Sequence, residues 1–377
     1  MKEAFLYYGP KKQFILQIPS KNPITTISDL AIYSDKKMRE HVFKIQGRRN
    51  DSQENELHKK EISNLVGFSD QYATLSESAI QGFLSFINQY EIDNLYLQNP
   101  PIYIVDQLQK ADINLKIEKY TYSSIDLNIL KKIYQFYSST IIGQEKALSQ
   151  ILTSIHPLCS NNFKKPIVML FYGPTGVGKS ETAQFISKIM NQKIMRKQFS
   201  MFHGNEFASY LFGGRHSQPC LARDLMERES NVILFDEFDK PNPSFYSAFY
   251  QFFDEGIYED KNYHTEAKKS IIICTSNFKS EKEAQTILGA PLFARFSSII
   301  QFKALSKESI EKILNIEFKN AIELLNPEDK DKIQPRAILD NLKSKLSQID
   351  NCRQIQHMVR DAVSRRLLEM DLNVDME

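Results

Sequence analysis

The stretch GPTGVGKS at residues 173–180 comes directly after the apolar run PIVMLFY at residues 166–172. An apolar strand, a glycine-rich turn, a lysine followed by a hydroxyl, and then a helix make up a P-loop, whose backbone N–H groups surround a phosphate. The helix predicted next, SETAQFISKIM, directs the positive end of its dipole at the same anion. The flanking strand and helix argue against a chance match. The sequence therefore predicts a nucleotide-binding site on a parallel α/β sheet.

Each residue type in this turn has a predicted role. Glycine lets the backbone curl so that its N–H groups face the phosphate. Lys179 is predicted to reach the β- and γ-phosphates, and Ser180 to offer its hydroxyl to Mg²⁺. ATP and Mg²⁺ are therefore the predicted cofactors. The predicted phosphate-binding residues are Gly173, Pro174, Thr175, Gly176, Val177, Gly178, Lys179, Ser180 and Glu181.

A pair of acids follows a second apolar strand, NVILFDEF at residues 231–238. In P-loop NTPases an acid at this strand end holds Mg²⁺, which is the role predicted for Asp236 beside Ser180. Glu237 is then placed to orient and deprotonate the attacking water. An acid pair after a strand can also be an ordinary transition into a loop. The P-loop earlier in the chain favours the catalytic interpretation.

Composition argues against several classes of protein. The formal charge of +2 over 377 residues predicts no general attraction to nucleic acid or to acidic membranes. The four cysteines are far apart and form no C-x-x-C pair, so neither a zinc site nor a disulfide framework is indicated. The N-terminus lacks a signal-like apolar stretch, and no apolar run is long enough to span a membrane. These features predict a soluble protein in the reducing cytoplasm.

The chain is predicted to divide near residue 120. FILQIP at 14–19 and HVFKI at 41–45 look like short strands, and residues 76–90 place apolar side chains along one helical face. These patterns predict an α+β domain over residues 1–120, of unknown role. The polar residues 47–61 could bind phosphate, but their interleaved acids favour a solvated loop and helix face.

The remaining chain is predicted to form three parts. Residues 121–139 contain a linker helix. Residues 140–303 alternate strands and helices, with buried strands at 166–173, 231–238 and 270–277, which predicts a parallel sheet. Residues 304–377 have a helical period and predict a separate small domain.

Residues 140–370 resemble the Clp family of AAA+ ATPases, which are unfoldases and disaggregases. Besides the P-loop, five segments resemble family motifs in the family's order. They are TIIGQEKAL at 140–148 (the V-I-G-Q entry motif), the segment from Walker B onward at 235–260, CTSN at 274–277 (sensor 1), LGAPLFARFSSIIQF at 288–302 (the arginine-finger segment) and NCRQIQHMV at 351–359 (the sensor-2 helix).

The resemblance implies roles for further residues. Ile141 and Ile142 would touch the adenine, and Arg353 would be the sensor-2 arginine on the nucleotide. Asn277 would hydrogen-bond the γ-phosphate or the attacking water. Arg295 would be an arginine finger that reaches the nucleotide of a neighbouring subunit. The implied catalytic residues are Lys179, Glu237, Asn277 and Arg295. A finger of this kind implies self-association in a ring or arc, with a hexamer as the predicted size.

The sequence departs from the family at the pore loop. The corresponding region at 208–237 is shorter and lacks the aromatic residue between glycines that grips polypeptide in the family. The AAA+ part also lacks the tripeptide that docks on a peptidase ring, so no peptidase partner is expected. Val66-Gly67-Phe68 matches that tripeptide but lies in the N-terminal region.

Three functions remain open. The first is a Clp-like ATPase that remodels or dissociates a protein partner selected by residues 1–120. The second is a non-threading, ATP-dependent oligomeric switch. The third is a DNA-associated AAA+ accessory protein, which the near-neutral charge and the lack of a basic stripe make the weakest.

Overall fold

The computed structural model describes residues 3–19, 23–47, 59–111, 113–201, 204–346 and 349–372. Residues 1–123, 202–231 and 244–268 group into one compact unit, and residues 124–201, 232–243 and 269–377 into a second. The first unit therefore includes two segments that the sequence analysis expected within residues 140–303. The predicted domain boundaries at 120, 140 and 303 stay predictions.

Strands and helices alternate along much of the chain. The strands are β1 (Glu3–Tyr8), β2 (Ile24–Thr26), β3 (Glu61–Gly67), β4 (Glu91–Gln98), β5 (Asn114–Lys119), β6 (Ile167–Tyr172), β7 (Met195–Gln198), β8 (Val232–Asp236), β9 (Ile257–Glu259), β10 (His264–Glu266), β11 (Ile271–Ser276) and β12 (Ser298–Gln301). The helices are α1 (Lys11–Ile15), α2 (Ile27–Gly47), α3 (Glu77–Gln81), α4 (Phe83–Ile87), α5 (Ile102–Lys110), α6 (Leu127–Thr140), α7 (Glu145–Ile155), α8 (Lys179–Ile189), α9 (Asn205–Phe212), α10 (Leu221–Glu227), α11 (Tyr250–Glu255), α12 (Glu281–Leu288), α13 (Ala290–Phe293), α14 (Lys307–Glu323), α15 (Pro327–Lys332), α16 (Pro335–Ser344) and α17 (Cys352–Leu372).

The first unit contains a five-stranded sheet in the order β2-β3-β4-β1-β5. All of its pairs are parallel, for example Leu6 opposite Leu97 in the pair of β1 and β4. Alternate side chains of β1 enter two different apolar clusters, Leu6 one and Phe5 the other, as the two-residue period of a strand requires. Parallel pairing makes this unit an α/β structure, where α+β was predicted.

Two predicted strands in this unit are helices. Residues 14–15 belong to α1, where Phe14 packs on the rings of Tyr7 and Phe68. Residues 41–45 belong to α2, whose first turns bury Ile27 and Leu30. In α1 the burial of Phe14 outweighed the local preference of Phe and Ile for strands. The polar stretch predicted as a solvated loop lies mostly outside the described residues, which resume at 59.

Segment 202–231 contributes a carboxylate to the first unit. Glu227 accepts hydrogen bonds from Gln98 Nε2 at 2.9 Å and Asn99 Nδ2 at 3.2 Å, at the carboxyl end of β4. Burial raises the pKa of Glu227 despite these donors. The next residue, Arg228, lies over the ring of Tyr122 at 4.0 Å from its centroid. Residues far apart in sequence thus complete this unit.

The second unit contains a parallel sheet in the order β12-β6-β11-β8-β7. The three strands predicted from apolar runs are its adjacent central members β6, β11 and β8, and every residue of each is buried. Their burial on both faces explains the continuous apolar sequence. The helices α14 to α17 form a separate apolar cluster that includes Ile310, Leu314 and Ile355. The prediction of a parallel α/β domain followed by helices is confirmed.

Within the described residues, none of the helices has the length and apolar character needed to cross a membrane.

Candidate nucleotide-binding site

A cavity of about 710 Å³ lies in the second unit, where the P-loop meets the ends of β8 and β11 and residues of α14 and α17. Thirteen of the predicted site residues line it. They are Ile141, Ile142, Thr175, Gly176, Val177, Gly178, Lys179, Ser180, Glu181, Asp236, Glu237, Asn277 and Arg353. The other three predicted residues do not line the cavity. Two of them, Gly173 and Pro174, are the first residues of the P-loop, and the third is Arg295.

The P-loop backbone requires glycine at two of its turns. Gly173 has φ +136°, and a Cβ added there would lie 2.0 Å from the carbonyl oxygen of Phe302. Gly178 has φ +104° and precedes the first residue of α8. Side chains other than hydrogen are strained at such φ values. The sequence therefore places glycine where the loop passes close to β12 and where the helix begins.

The side chain of Lys179 hydrogen-bonds to the P-loop backbone and to Asn277. Its Nζ donates to the carbonyl oxygens of Gly173 at 2.7 Å and Pro174 at 2.6 Å, and to Asn277 Oδ1 at 3.2 Å. Burial lowers the pKa of Lys179 to about 8, while the carboxylates of Asp239 and Asp236 oppose this shift. The predicted lysine and the predicted sensor amide are therefore in direct contact.

The carboxylate of Asp236 contacts hydrogen-bond donors on α8, β11 and β7. Its Oδ1 accepts from Ser180 Oγ at 2.9 Å and from Thr275 Oγ1, and its Oδ2 contacts the guanidinium of Arg196. A hydroxyl and a carboxylate in contact are hard oxygen ligands of the kind Mg²⁺ prefers, and Mg²⁺ takes few protein ligands besides phosphate and water. Ser180 and Asp236 therefore fit the predicted metal. The described residues hold no cluster of three or more His, Cys, Asp or Glu able to bind a metal.

Glu237 has an unusual backbone conformation. Its φ is +56°, a region that non-glycine residues seldom adopt, and its N–H donates to Thr275 Oγ1 at 3.1 Å. Such strain persists where surrounding contacts fix it, and it is common at functional sites. Here the turn away from β8 leaves Glu237 on the cavity wall.

The helical region contacts the P-loop directly. The N–H of Cys352 donates to the carbonyl oxygen of Gly176 at 3.0 Å, so α17 begins at the loop. Arg353 follows on the cavity wall, with Ile313 and Glu317 of α14 beside it. This arrangement joins the helical region to the predicted phosphate site.

Arg295 lies apart from these residues. It follows α13, is half-buried, and its Nη1 contacts the carbonyl oxygen of Pro291. The structure of one chain therefore does not bring Arg295 to its own cavity. Its predicted action on a neighbouring copy stays a prediction.

The residues in or beside the site that the sequence analysis did not predict include Gln144, which contacts Val177 of the P-loop, together with Thr275 and Arg196. Gln144 donates to the carbonyl oxygen of Lys303 at 2.8 Å and accepts from its N–H at 3.1 Å. Thr275 joins Asp236 to Glu237, and Arg196 contacts Asp236. Gln144 stands within the quoted entry motif, so that motif could have indicated it. Thr275 and Arg196 become neighbours of Asp236 only through strand pairing.

Comparison with known proteins agrees with this geometry. Residues 164–325 match the family described as AAA domain (Cdc48 subfamily). The ClpC ATP-binding subunit of a Clp protease from Staphylococcus saprophyticus is 25% identical over 335 residues, covering 85% of this chain and 38% of the relative. The chaperone ClpB of Chlamydia pneumoniae is 29% identical over 221 residues, covering 49% of this chain and 26% of the relative.

Solved structures show the same fold. The S. cerevisiae Hsp104–ADP complex has a TM-score of 0.53 at 21% identity, covering 66% of this chain and 41% of that chain. An S. cerevisiae Hsp104:casein complex has a TM-score of 0.55 at 14% identity, covering 98% of this chain and 89% of that chain. The present chain spans about a quarter to two fifths of the length of the two curated relatives.

The parallel sheet, the P-loop and the family match together define the class. Residues 164–325 match an AAA domain, and the similarity of the chain to Clp-type AAA+ proteins agrees with the resemblance found in the sequence.

The pKa of Lys179 predicts a pH effect on nucleotide binding. A bound phosphate favours the charged amine, so binding above a pKa of about 8 requires Lys179 to take up a proton. ATP affinity is therefore expected to fall as pH rises from 7 to 9, because below that pKa the amine is already charged. Calorimetry at pH 9 in buffers of different ionisation enthalpy is expected to detect proton uptake on binding, and at pH 7 little or none. Equal affinity and no uptake at pH 9 would contradict this role.

Proposed function

We propose that the chain binds and hydrolyses ATP and couples the reaction to a protein partner. The observation that supports this most directly is the placement of Lys179, Asp236, Glu237 and Asn277 around one cavity at the P-loop. They supply a cation for phosphate, a metal-binding carboxylate, a base and a polar amide. A structural lysine or a solvated acid pair would not bring these groups together.

The residues have separate tasks in this proposal. The N–H groups of the P-loop and Lys179 bind the phosphates, and Asn277 orients the γ-phosphate or the water. Glu237 accepts the proton of the attacking water as that oxygen bonds to the γ-phosphorus, and the bond from this phosphorus to the bridging oxygen breaks, so that ADP leaves with that oxygen. Mg²⁺ held by Ser180 and Asp236 would neutralise phosphate charge. Ile141 and Ile142 provide an apolar wall for the adenine, and Arg353 places a cation on α17 against the nucleotide.

The partner in this proposal is a protein selected by residues 1–120. The parallel sheet β2-β3-β4-β1-β5 and its helices precede the residues that match the AAA domain, and they supply a folded surface for such a partner. Two relatives are named as a chaperone and as the ATP-binding subunit of a protease, and these names support a remodelling role for this chain.

A specific observation favours the second candidate, the non-threading switch. The loop that corresponds to the family's pore loop is held within the first unit. Phe212 O accepts from the Lys261 N–H at 3.1 Å, Gly214 O accepts from Asn262 Nδ2 at 2.9 Å, and the His216 N–H donates to Glu77 Oε1 at 3.1 Å. A loop tied to its surroundings in this way is less suited to moving a polypeptide.

Stimulation of ATP hydrolysis separates these candidates. A remodelling enzyme is expected to hydrolyse ATP faster when an unfolded protein such as casein is added. A switch is expected to assemble on ATP with slow turnover that casein does not change. For the DNA-associated candidate, binding affinity for duplex DNA must fall steeply with added salt. Absence of any measurable ATP binding would overturn all three.

The proposed arginine finger gives a test of self-association. Arg295→Ala is expected to leave ATP affinity within about threefold of the parent and to lower hydrolysis at least about a thousandfold, because the finger stabilises transition-state charge. The measurements are nucleotide binding and steady-state phosphate release. Arg336→Ala, in an exposed position of α16, provides a control.

Mixing two inactive variants tests action between copies. Lys179→Ala protein keeps Arg295 but lacks the phosphate-binding lysine, whereas Arg295→Ala protein keeps its own site. A mixture is expected to regain part of the lost turnover if Arg295 acts across subunits. Full activity of Arg295→Ala alone would contradict the proposed finger.

A further inference from the structure

Arg196 forms an ion pair with Asp236, the carboxylate that the proposed metal site requires. It lies on β7, the edge strand that pairs in parallel with β8, and its guanidinium contacts Asp236 Oδ2. The side chain of Asp236 is 8% exposed, whereas that of Arg196 is 41% exposed. Both residues line the cavity. The contact therefore lies on the cavity wall, with the arginine on its more open side.

The two oxygens of Asp236 have different partners. Oδ1 accepts from the hydroxyls of Ser180 and Thr275, which are neutral donors. Oδ2 contacts the guanidinium, which brings a permanent positive charge. Gln198, on the same face of β7 and opposite Asp236 in register, is neutral. Arg196 is thus the cation in hydrogen-bond contact with this carboxylate among the described residues.

A second cation at Asp236 must compete with the first. A divalent ion and a guanidinium both seek the same partly buried carboxylate charge, and like charges near each other are unfavourable. Mg²⁺ requires its oxygen ligands in a strict geometry. The contact between Arg196 and Asp236 therefore opposes metal binding at this residue. The side chain of Arg196 is partly exposed, so neighbouring residues do not enclose it fully.

We propose that Arg196 is a built-in counter-cation that holds Asp236 in the nucleotide-free protein and gives up this carboxylate when Mg²⁺ and ATP bind. Arg196 thereby sets the Mg²⁺ concentration at which the nucleotide site fills. It is a positioning residue, because it acts through Asp236. The inference rests on the proposed nucleotide function and adds a residue that controls the metal dependence of that site.

The test measures binding, with no need for turnover. The fluorescence of an N-methylanthraniloyl derivative of ATP is followed as Mg²⁺ is added to the 377-residue chain. Arg196→Gln is expected to lower the half-saturating Mg²⁺ concentration about threefold to tenfold, because a competing ion pair is lost. Arg196→Lys keeps the charge but not the planar fork, and is expected to stay nearer to the parent. Lys193→Gln, an exposed lysine just before β7, removes the same charge away from Asp236 and serves as the control.

Each outcome decides between the possibilities. A half-saturating Mg²⁺ concentration in Arg196→Gln equal to that of Lys193→Gln, or higher than that of the parent, overturns the inference while leaving nucleotide binding intact. Failure of the parent to bind the analogue at any Mg²⁺ concentration overturns the proposed function and this inference together. If Arg196→Gln does not fold, Arg196→Lys takes its place. A half-saturating Mg²⁺ concentration that is higher in Arg196→Lys than in the parent would then overturn the inference.

Discussion

Replacement of Lys179 by alanine is expected to lower ATP affinity by about a hundredfold or more, because it removes the charged donor to the phosphates, and hydrogen bonds to charged groups contribute about 1.5–3 kcal/mol each. Titration with a fluorescent ATP analogue measures the change. Lys179 is 8% exposed in the folded chain, and its amine donates to carbonyl oxygens of the loop and to Asn277.

The fold must be shown to survive the change. The loss of Lys179 leaves two carbonyl oxygens of the P-loop without this donor, so the melting temperature and the circular dichroism spectrum need to be compared with those of the parent. Lys165→Ala, which removes an exposed lysine just before β6, is the matched control and is expected to bind ATP normally. Affinity of Lys179→Ala within about threefold of that control would show that the cavity does not use this lysine.

Replacement of Glu237 by glutamine is expected to keep ATP bound and to slow hydrolysis by about a hundredfold to ten-thousandfold, the usual contribution of a general base. Glutamine has nearly the shape of glutamate, and the contact of the backbone N–H with Thr275 does not involve the side chain. Binding and turnover should therefore separate in this variant. Single-turnover phosphate release and analogue binding measure the two effects.

The Glu237→Gln variant, which is expected to keep ATP bound, can also be used to identify the proposed protein partner. If ATP favours the assembled state, Glu237→Gln protein should remain assembled in ATP, as size-exclusion chromatography would report. Its retained partners could then be identified by affinity purification from the native host. Glu308→Gln, an exposed acid in the first turn of α14, is the control. Hydrolysis by Glu237→Gln at the parent rate would exclude Glu237 as the base.

The P-loop turn and the central strands of the second unit could be predicted from local sequence. Continuous apolar runs can be recognised because β6, β8 and β11 are buried on both faces, and glycines at 173 and 178 are required by backbone geometry that leaves little choice of residue. The predicted site residues of these segments consequently lie around one cavity. Catalytic roles for them remain proposals.

Features that depend on pairing between distant segments were not predictable in the same way. Arg196 stands in a short strand with no motif, and it becomes a neighbour of Asp236 only because β7 pairs with β8. The strands predicted near residues 14 and 41 were wrong, because residues 14–15 lie in α1 and residues 41–45 in α2. In α1, the local strand preference of Phe14 is weak beside its packing on Tyr7 and Phe68. Nothing in the polar residues around Glu227 indicated that this carboxylate packs against Gln98 and Asn99.

The contribution of Glu227 to the first unit limits how this protein can be taken apart or recombined. A fragment cut after residue 123 would lack the carboxylate that Gln98 and Asn99 hydrogen-bond, while both amides would keep their bonds to the carbonyl oxygen of Gly9. The first unit is discontinuous in sequence, so a graft of its complete fold onto another protein would have to carry residues 202–231 and 244–268 as well as the N-terminal segment.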